Sequence, residues 1–352
     1  MIRWVIRWML RLVLVVALMV VGLLLPVAWV EFACVGEREA QPYTALLPEE
    51  HHRAEARTLL TYPEWHIVHA YDDYAEVIKT GEPHDFGYIK AVRTYWSSLC
   101  ALKERASAHG GIDGETKQLV YVIGVSFSAE LALKAAYEET LGRVATWIRG
   151  SERAELDQLT FRQAEAYAKF LQQTPWYKWD FQADITAMDA SMTQAFRDRE
   201  RRFALGNEYA MKSAYAGVIA NAVANVGADE LTLRMIVNGP DLEALKQASW
   251  VKVIAERPEG LEIETPRYRE LTDHLVQRMS RMNLVIVEMA GNDEIMFTAI
   301  GSSPTHPNAL FSFPRQGYGD YRHLFMANMV DLLSILDERR DGPLVVEHVH
   351  DY

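Results

Sequence analysis

The sequence predicts an α+β protein made of an N-terminal transmembrane helix, a helical bundle domain and a smaller ferredoxin-like α+β domain. Three observations carry this reading: an apolar run without charges near the N-terminus, a helical hydrophobic period from Pro48 to about Val226, and a period of two after Gly227. A chain of 352 residues exceeds one typical domain. The pattern divides it into an anchor at 1–33, a helical domain at 34–227 and an α+β domain at 228–352.

The anchor rests on length and flanks. Leu12 to Val30 are 19 residues without a charge, long enough at ~1.5 Å per residue to cross a hydrocarbon core of ~30 Å. Arg3, Arg7 and Arg11 precede it, and Glu31, Glu37 and Glu39 follow. The positive-inside rule then puts the N-terminus in the cytoplasm and the rest outside, which in a bacterial envelope means a single-pass inner-membrane protein with a periplasmic body. Trp4, Trp8 and Trp29 stand where an interfacial aromatic belt belongs. A cleaved signal peptide shares the basic-then-apolar order. Its cleavage would be poor here, because Ala28 and Ala33 have Pro26 and Glu31 two positions upstream; an uncleaved signal-anchor is the expectation.

The three N-terminal arginines have no acidic counterpart within residues 1–30, so the remainder holds 33 basic and 48 acidic side chains, a net charge of −15. Such a body is repelled by nucleic acid and by anionic headgroups, which excludes a nucleic-acid function. Cys34 and Cys100 are the only cysteines. An oxidising compartment permits a disulfide between them, and two unpaired thiols fit the sequence equally well.

Prolines at first-turn positions (Pro48, Pro63) and glycines at C-terminal caps (Gly81, Gly110, Gly150) mark helices at about 48–60, 63–79, 86–108, 115–149, 160–173, 183–204 and 207–226. Short connections suggest antiparallel neighbours. Two segments, Gln118–Tyr137 and Ala210–Gly227, are apolar enough to raise the membrane question again. Glu130 and Lys134 lie mid-way in the first, and charges at a bilayer centre are costly; buried core helices are the expectation.

Beyond Gly227, Leu231, Leu233, Met235 and Val237 alternate with polar residues as a half-buried strand should. A short helix from Asp241, strands at Trp250–Glu256 and Leu261–Thr265, and a helix bearing Leu271 and Leu275 follow. The segments LVIVEM and IMFTAI are read as a hairpin turning at Ala290–Asp293. This β-α-β-β-α-β order matches the ferredoxin-like arrangement with one strand appended. A helix near Tyr318–Arg339 and a terminal strand at Leu344–His350 complete the chain, the strand adding to the same sheet.

Sequence motifs for phosphate loops, CxxC redox pairs and HExxH zinc helices are missing. GVSFS (Gly124–Ser128) lacks the final glycine of a nucleophile elbow and sits in a helix. The strongest constellation is in TYPEWHIVHAYDDYA (Thr61–Ala75). At 100° per residue, Ile67, Ala70, Tyr71, Tyr74, Val77 and Ile78 share one side. His66, His69, Asp73 and Glu76 share the other, and Asp72 falls away from both. Imidazole plus carboxylate is a ligand set for a divalent metal such as zinc, iron or manganese. The bland reading is a solvated face with His69 and Asp73 as an ordinary i,i+4 pair, and Trp65 on that polar side argues for a cover.

Other candidates are weaker. Glu130 of the Glu130-Lys134-Glu138 series is a candidate buried general acid, against an ordinary intrahelical ion pair. Trp176, Tyr177 and Trp179 could form an aromatic lip for an apolar ligand, against a plug between helix ends. His348 and His350 share one side of the last strand, a spacing usable by a metal, but without a third ligand that sequence can assign. In Pro314–His323, Asp320 could cap a helix whose N-terminus binds an anion.

These readings point to a non-catalytic, membrane-anchored envelope protein that binds a protein partner or a hydrophobic ligand near the bilayer. The alternative is a metal-dependent periplasmic enzyme using the histidine and carboxylate face. Redox exchange through Cys34 and Cys100 lacks the local CxxC spacing.

Overall fold

In the computed structural model, residues 2–36, 43–53, 55–107, 112, 114–224, 231–340 and 342–351 are described. Glu37, Glu39, Gly110, Val226 and Gly227, which the sequence reading uses as flanking charges, caps and boundaries, lie outside the described residues.

Helix α1 (Ile2–Ala33) contains the whole uncharged run. Its described side chains from Trp4 to Gly22 are exposed, and its length and hydropathy suit a membrane span. Its C-terminal end is different: Val30 and Cys34 are fully buried in the helical core. The carbonyls of a last turn have no partner within the helix. Here Lys103 Nζ donates to Val30 O at 2.8 Å and to Glu31 O at 2.9 Å. The Glu31 carboxylate in turn receives Lys117 at 2.9 Å and the Tyr121 hydroxyl at 2.5 Å. Cys34 and Cys100 form a disulfide with Cα atoms 5.2 Å apart, which decides between the two states the sequence left open.

The helical part comprises α2 (Glu55–Thr80), α3 (Tyr88–Ala106), α4 (Gly114–Tyr137), a π turn at Glu138–Gly142, α5 (Arg143–Arg149), α6 (Glu155–Leu171), α7 (Phe181–Ser191) and α8 (Phe196–Ala224). Pro63 does not start a helix; α2 runs through it. The expected break near 205 lies instead at 192–195, so α8 is one long helix. There Asp198 holds the backbone N–H and hydroxyl of Thr193 and the N–H of Leu156, tying the start of α8 to α6. Helices α3 and α4 approach closely at Gly124, where a Cβ would stand 2.5 Å from the Tyr95 ring. Only one face of α4 is buried, through Val120, Gly124, Phe127 and Leu131; Leu119, Val122 and Leu133 on the other are exposed. The expectation of a buried core helix therefore holds for one face of α4 only.

The remainder holds β1 (Thr232–Asn238), α9 (Leu242–Lys246), β2 (Lys252–Arg257), β3 (Gly260–Pro266), α10 (Tyr268–Gln277), β4 (Val285–Met289), β5 (Glu294–Gly301), β6 (Phe311–Pro314), β7 (Tyr321–Asn328), α11 (Met329–Arg340) and β8 (Leu344–His350). Two antiparallel four-stranded sheets result, with orders β2-β3-β1-β4 and β6-β7-β5-β8.

Three expectations fail here. LVIVEM and IMFTAI do not pair as a hairpin. Ala290 and Gly291 both take positive φ, 49° and 82°, a single bridge joins Met289 to Asn292, and β5 leaves for the second sheet. The last strand joins that second sheet rather than the first. Of the helix expected near Tyr318–Arg339 only the part from Met329 is helical, while Tyr321–Asn328 is strand β7, so Asp320 caps nothing; it pairs with Arg315 at 3.1 Å across the β6–β7 hairpin. A run buried on both faces, such as Arg322 to Phe325, has no period that separates strand from helix.

Side chains alternate along each strand, and the second sheet uses both sides. Phe297, Ala299, Phe325 and Val349 join the core shared with the first sheet. Met296 and Leu324 join the helical core, and Arg322, His348 and His350 meet α2 on that side.

Candidate functional site

Helix α2 lies between two layers. Ala70, Ile67, Tyr74 and Val77 pack into the helical core, while the opposite side meets β7, β8 and the β6–β7 hairpin. His66, His69 and Asp73 are consequently 3%, 5% and 5% exposed, so the solvated reading of that face is wrong. The hairpin reaches α2 because Gly317 adopts φ +85°, and a Cβ there would meet the Val77 nitrogen at 3.0 Å.

Asp73 is the first link between the layers. Its Oδ2 accepts the backbone N–H of Gln316 at 3.0 Å, and its Oδ1 lies 3.7 Å from Arg322 Nη1. Arg322, fully buried, donates twice to Glu347, at 2.5 and 2.6 Å. Asp72, set aside on the helical wheel, is also engaged: the Tyr318 hydroxyl donates to it at 3.0 Å and Arg315 lies 3.5 Å away.

The imidazoles gather around Trp65. Its ring centroid is 3.6 Å from His348, 5.5 Å from His350 and 6.0 Å from His69. The structure thus brings the two histidines of the last strand to the α2 face, supplying the neighbour that sequence could not assign. One nitrogen of each ring has a neighbour. His66 Nε2 is 3.0 Å from Ala91 O, His348 Nδ1 3.1 Å from Thr272 Oγ1 and His350 Nε2 3.3 Å from Thr298 Oγ1. His69 Nδ1 stands 3.9 Å from Glu347. Among the described residues, the other nitrogen of each ring is buried without a hydrogen-bond partner, as are the Tyr62 hydroxyl and Asp73 Oδ1. A buried polar atom left unpaired costs about 1–3 kcal/mol, so such a concentration marks a place where water or a ligand would be held.

Burial sets the protonation states. It holds His66 down to about 4, His350 down to about 3, and His69 and His348 well below the usual imidazole value, Arg322 adding to the depression at His66, His69 and His350. These rings are neutral at pH 7, with lone pairs free to ligate. Burial pushes Asp73 up to about 7, against the pull of Arg322. Burial would also raise Glu347, but the adjacent Arg322 outweighs it and keeps that carboxyl below its ordinary range. A small cavity lined by His66, His69, Asp73, Lys90, Phe313 and Gln316 adjoins this centre.

The donors do not converge into a ready-made ligand sphere. Among the described residues, the only three histidine, cysteine or acidic donors within 4.8 Å of one another are Cys34, Cys100 and Glu104, whose sulfurs are already joined. An ion in the histidine centre would require the rings to rotate. Of the four aligned candidates, Glu76 stays apart and pairs with Lys79 at 3.1 Å. Arg322, Glu347 and Tyr62 are the members the sequence reading missed; for Arg322 and Glu347, isolated polar letters in apolar strands were the available signal.

The remaining candidates lie elsewhere. Glu130 accepts from the Tyr71 hydroxyl at 2.8 Å and contacts Lys134 and Lys212 at 3.2 and 2.9 Å. Trp176 stacks on Tyr215 with centroids 5.5 Å apart, and Trp179 packs on Phe170 at 5.0 Å with its indole N–H on Asp184. Tyr177 lies beside Trp176 at 6.4 Å. Comparisons with protein-family models, with curated proteins and with solved structures find no match for the chain.

Proposed function

We propose that the protein is a non-catalytic, membrane-anchored binding protein of the bacterial envelope. In this reading α1 spans the inner membrane as an uncleaved signal-anchor, the body lies in the periplasm, and the body meets a hydrophobic partner, protein or lipid, beside the bilayer. The observation that carries it is the exposure of large apolar side chains on an otherwise acidic body: Leu133 at 71%, Trp147 at 82%, Phe203 at 66% and Met211 at 73%. Extended apolar surface marks an interaction site more often than not. Disulfides are rare in the reducing cytoplasm, so the Cys34–Cys100 link supports the placement of the body. The order β1-α9-β2-β3-α10-β4 with strands arranged β2-β3-β1-β4 supports a ferredoxin-like unit, a likeness that carries no function.

The test is a full-length variant with Leu133→Ser, Phe203→Ser and Met211→Ser. Purified in mild detergent, the parent should retain a lipid or protein that native mass spectrometry detects, and the variant should lose it while keeping its helical circular dichroism. A parent that carries nothing would end this reading. Alkaline phosphatase fused at the C-terminus should be active if the body is periplasmic.

A second reading is favoured by the orphaned imidazole nitrogens: a divalent metal held by His69, His348 and His350, their hydroxyl and carboxylate neighbours orienting the rings as outer partners of metal ligands do. Stoichiometric zinc, iron or manganese in the purified protein, lost in His69→Ala/His348→Ala, would replace the non-catalytic reading with the metal-dependent one.

A further inference from the structure

Helices α4 and α8 are built inside out for a protein surrounded by water. Lys134 bridges Glu130 and Glu208 at 3.2 and 2.9 Å, and Lys212 bridges the same two carboxylates at 2.9 and 3.0 Å. This closed square of two cations and two anions points inward over α2, where the Tyr71 ring lies 4.9 Å beneath Lys212. One helical turn on, Glu138 of the π turn takes Arg201 of α8 at 2.9 Å. The outward faces are the reverse: no exposed residue carries a charge over 118–136 in α4 or over 203–220 in α8.

Water-facing helices put their charges outside. Helices that face lipid turn them toward the bundle and pair them with one another. At ~1.5 Å per residue the two uncharged faces are each about 27–29 Å long, close to the ~30 Å of a bilayer's hydrocarbon core. Charges resume at the borders, with Glu115 before the α4 stretch, Glu139 and Arg143 after it, and Arg199 before the α8 stretch. The segment Gly114–Arg149 also meets the length and hydropathy criterion for a span. The objection that Glu130 and Lys134 interrupt an apolar helix disappears once both are turned inward and neutralised.

We infer that the outward faces of α4 and α8 are seated in the acyl chains of the bilayer that α1 crosses, so that lipid is the hydrophobic partner of this surface. Both helices turn their charges onto the same floor, formed by Tyr71 of α2, so their opposite faces look out together. Continuity with α1 names the occupant. Glu31 at the end of α1 joins Lys117 and Tyr121 of α4, and Val27 packs into the same core as Tyr121 and Val125. The inference rests on the reading that α1 crosses a membrane, and its test separates the two.

The full chain is reconstituted in phosphatidylethanolamine–phosphatidylglycerol vesicles with one spin label at a time on Leu14→Cys, Leu133→Cys, Met211→Cys or Lys252→Cys; the native disulfide stays unlabelled. Lys252 is a water reference at 70% side-chain exposure on the first sheet. Collision rates with oxygen and with a water-soluble nickel chelate are compared. The labels at 133 and 211 should resemble the one at 14, with oxygen favoured severalfold over nickel. Labels at 133 and 211 that behave like 252, while 14 reports lipid, overturn the inference and leave the anchor standing. A label at 14 that meets nickel as 252 does removes the anchor itself, and the inference with it. Exclusion of both reagents with mutual broadening of the labels would mean that a second copy covers this face, which also overturns it.

Discussion

At the scale of single residues, Arg322 is costly to replace because its charge is held away from water. It is fully buried and serves Glu347 and Asp73 together. Removing one partner of a buried pair leaves an uncompensated charge, at about 3–5 kcal/mol. Arg322→Met should therefore lower stability by that order in a chemical denaturation series, and adding Glu347→Leu should recover most of the loss. A full loss in the double variant would show that packing around Arg322, and not its charge, matters.

The histidines make a second residue-scale prediction. The four imidazoles of the centre have folded values below their unfolded ~6.5. As pH falls below ~6.5 the unfolded chain takes up protons that the folded chain refuses, so stability drops, down to about pH 4 for His66 and about 3 for His350. Asp73 works in the opposite direction: raised to about 7, it favours the folded state at low pH and loses that contribution as pH rises through 7. Melting temperature should thus decline on acidification from pH 6.5, and more steeply in Asp73→Asn. A flat profile between pH 4 and 6.5 would contradict the buried, neutral imidazoles.

At the scale of elements, the joint between α1 and the body invites the next measurement. The disulfide closes a loop of 66 residues of sequence separation, and removing such a link from a native protein costs about 2–5 kcal/mol. Cys34→Ser/Cys100→Ser should melt lower than the parent under non-reducing conditions, with the difference vanishing when the parent is reduced. The same elements explain what was readable. The apolar N-terminal helix and most helix ends follow from local signals, such as Gly150 at φ +80° closing α5. The α2 wheel grouped His66, His69 and Asp73 correctly but could not say that a sheet more than 240 residues later in sequence covers them, as the Gln316–Asp73 bond does. Periodicity reports faces, never their neighbours.

At the scale of the whole molecule, the split between the sheets was the least readable feature. The positive φ of Ala290, a residue that rarely adopts it, sends β5 away from β4; nothing in its side chain announces this. The charge square of α4 and α8 was half visible, as the Glu130–Lys134 spacing, and its other half lies in α8. Its closure predicts strong coupling. Lys134→Met alone leaves an excess anion and should destabilise by about 3–5 kcal/mol, whereas Lys134→Met with Glu208→Leu should be close to the parent. Additive losses in the double variant would mean that the four groups do not act as one unit.

The clamp of Lys103 on the last carbonyls of α1 limits how the body can swing about that helix. A head on a flexible stalk sweeps a hemisphere above its membrane. A head whose stalk ends inside its own core cannot, and its only cheap motions are rotation about the anchor and lateral drift. In the membrane-spanning reading of α1, the histidine centre would be held at a constant height over the lipid.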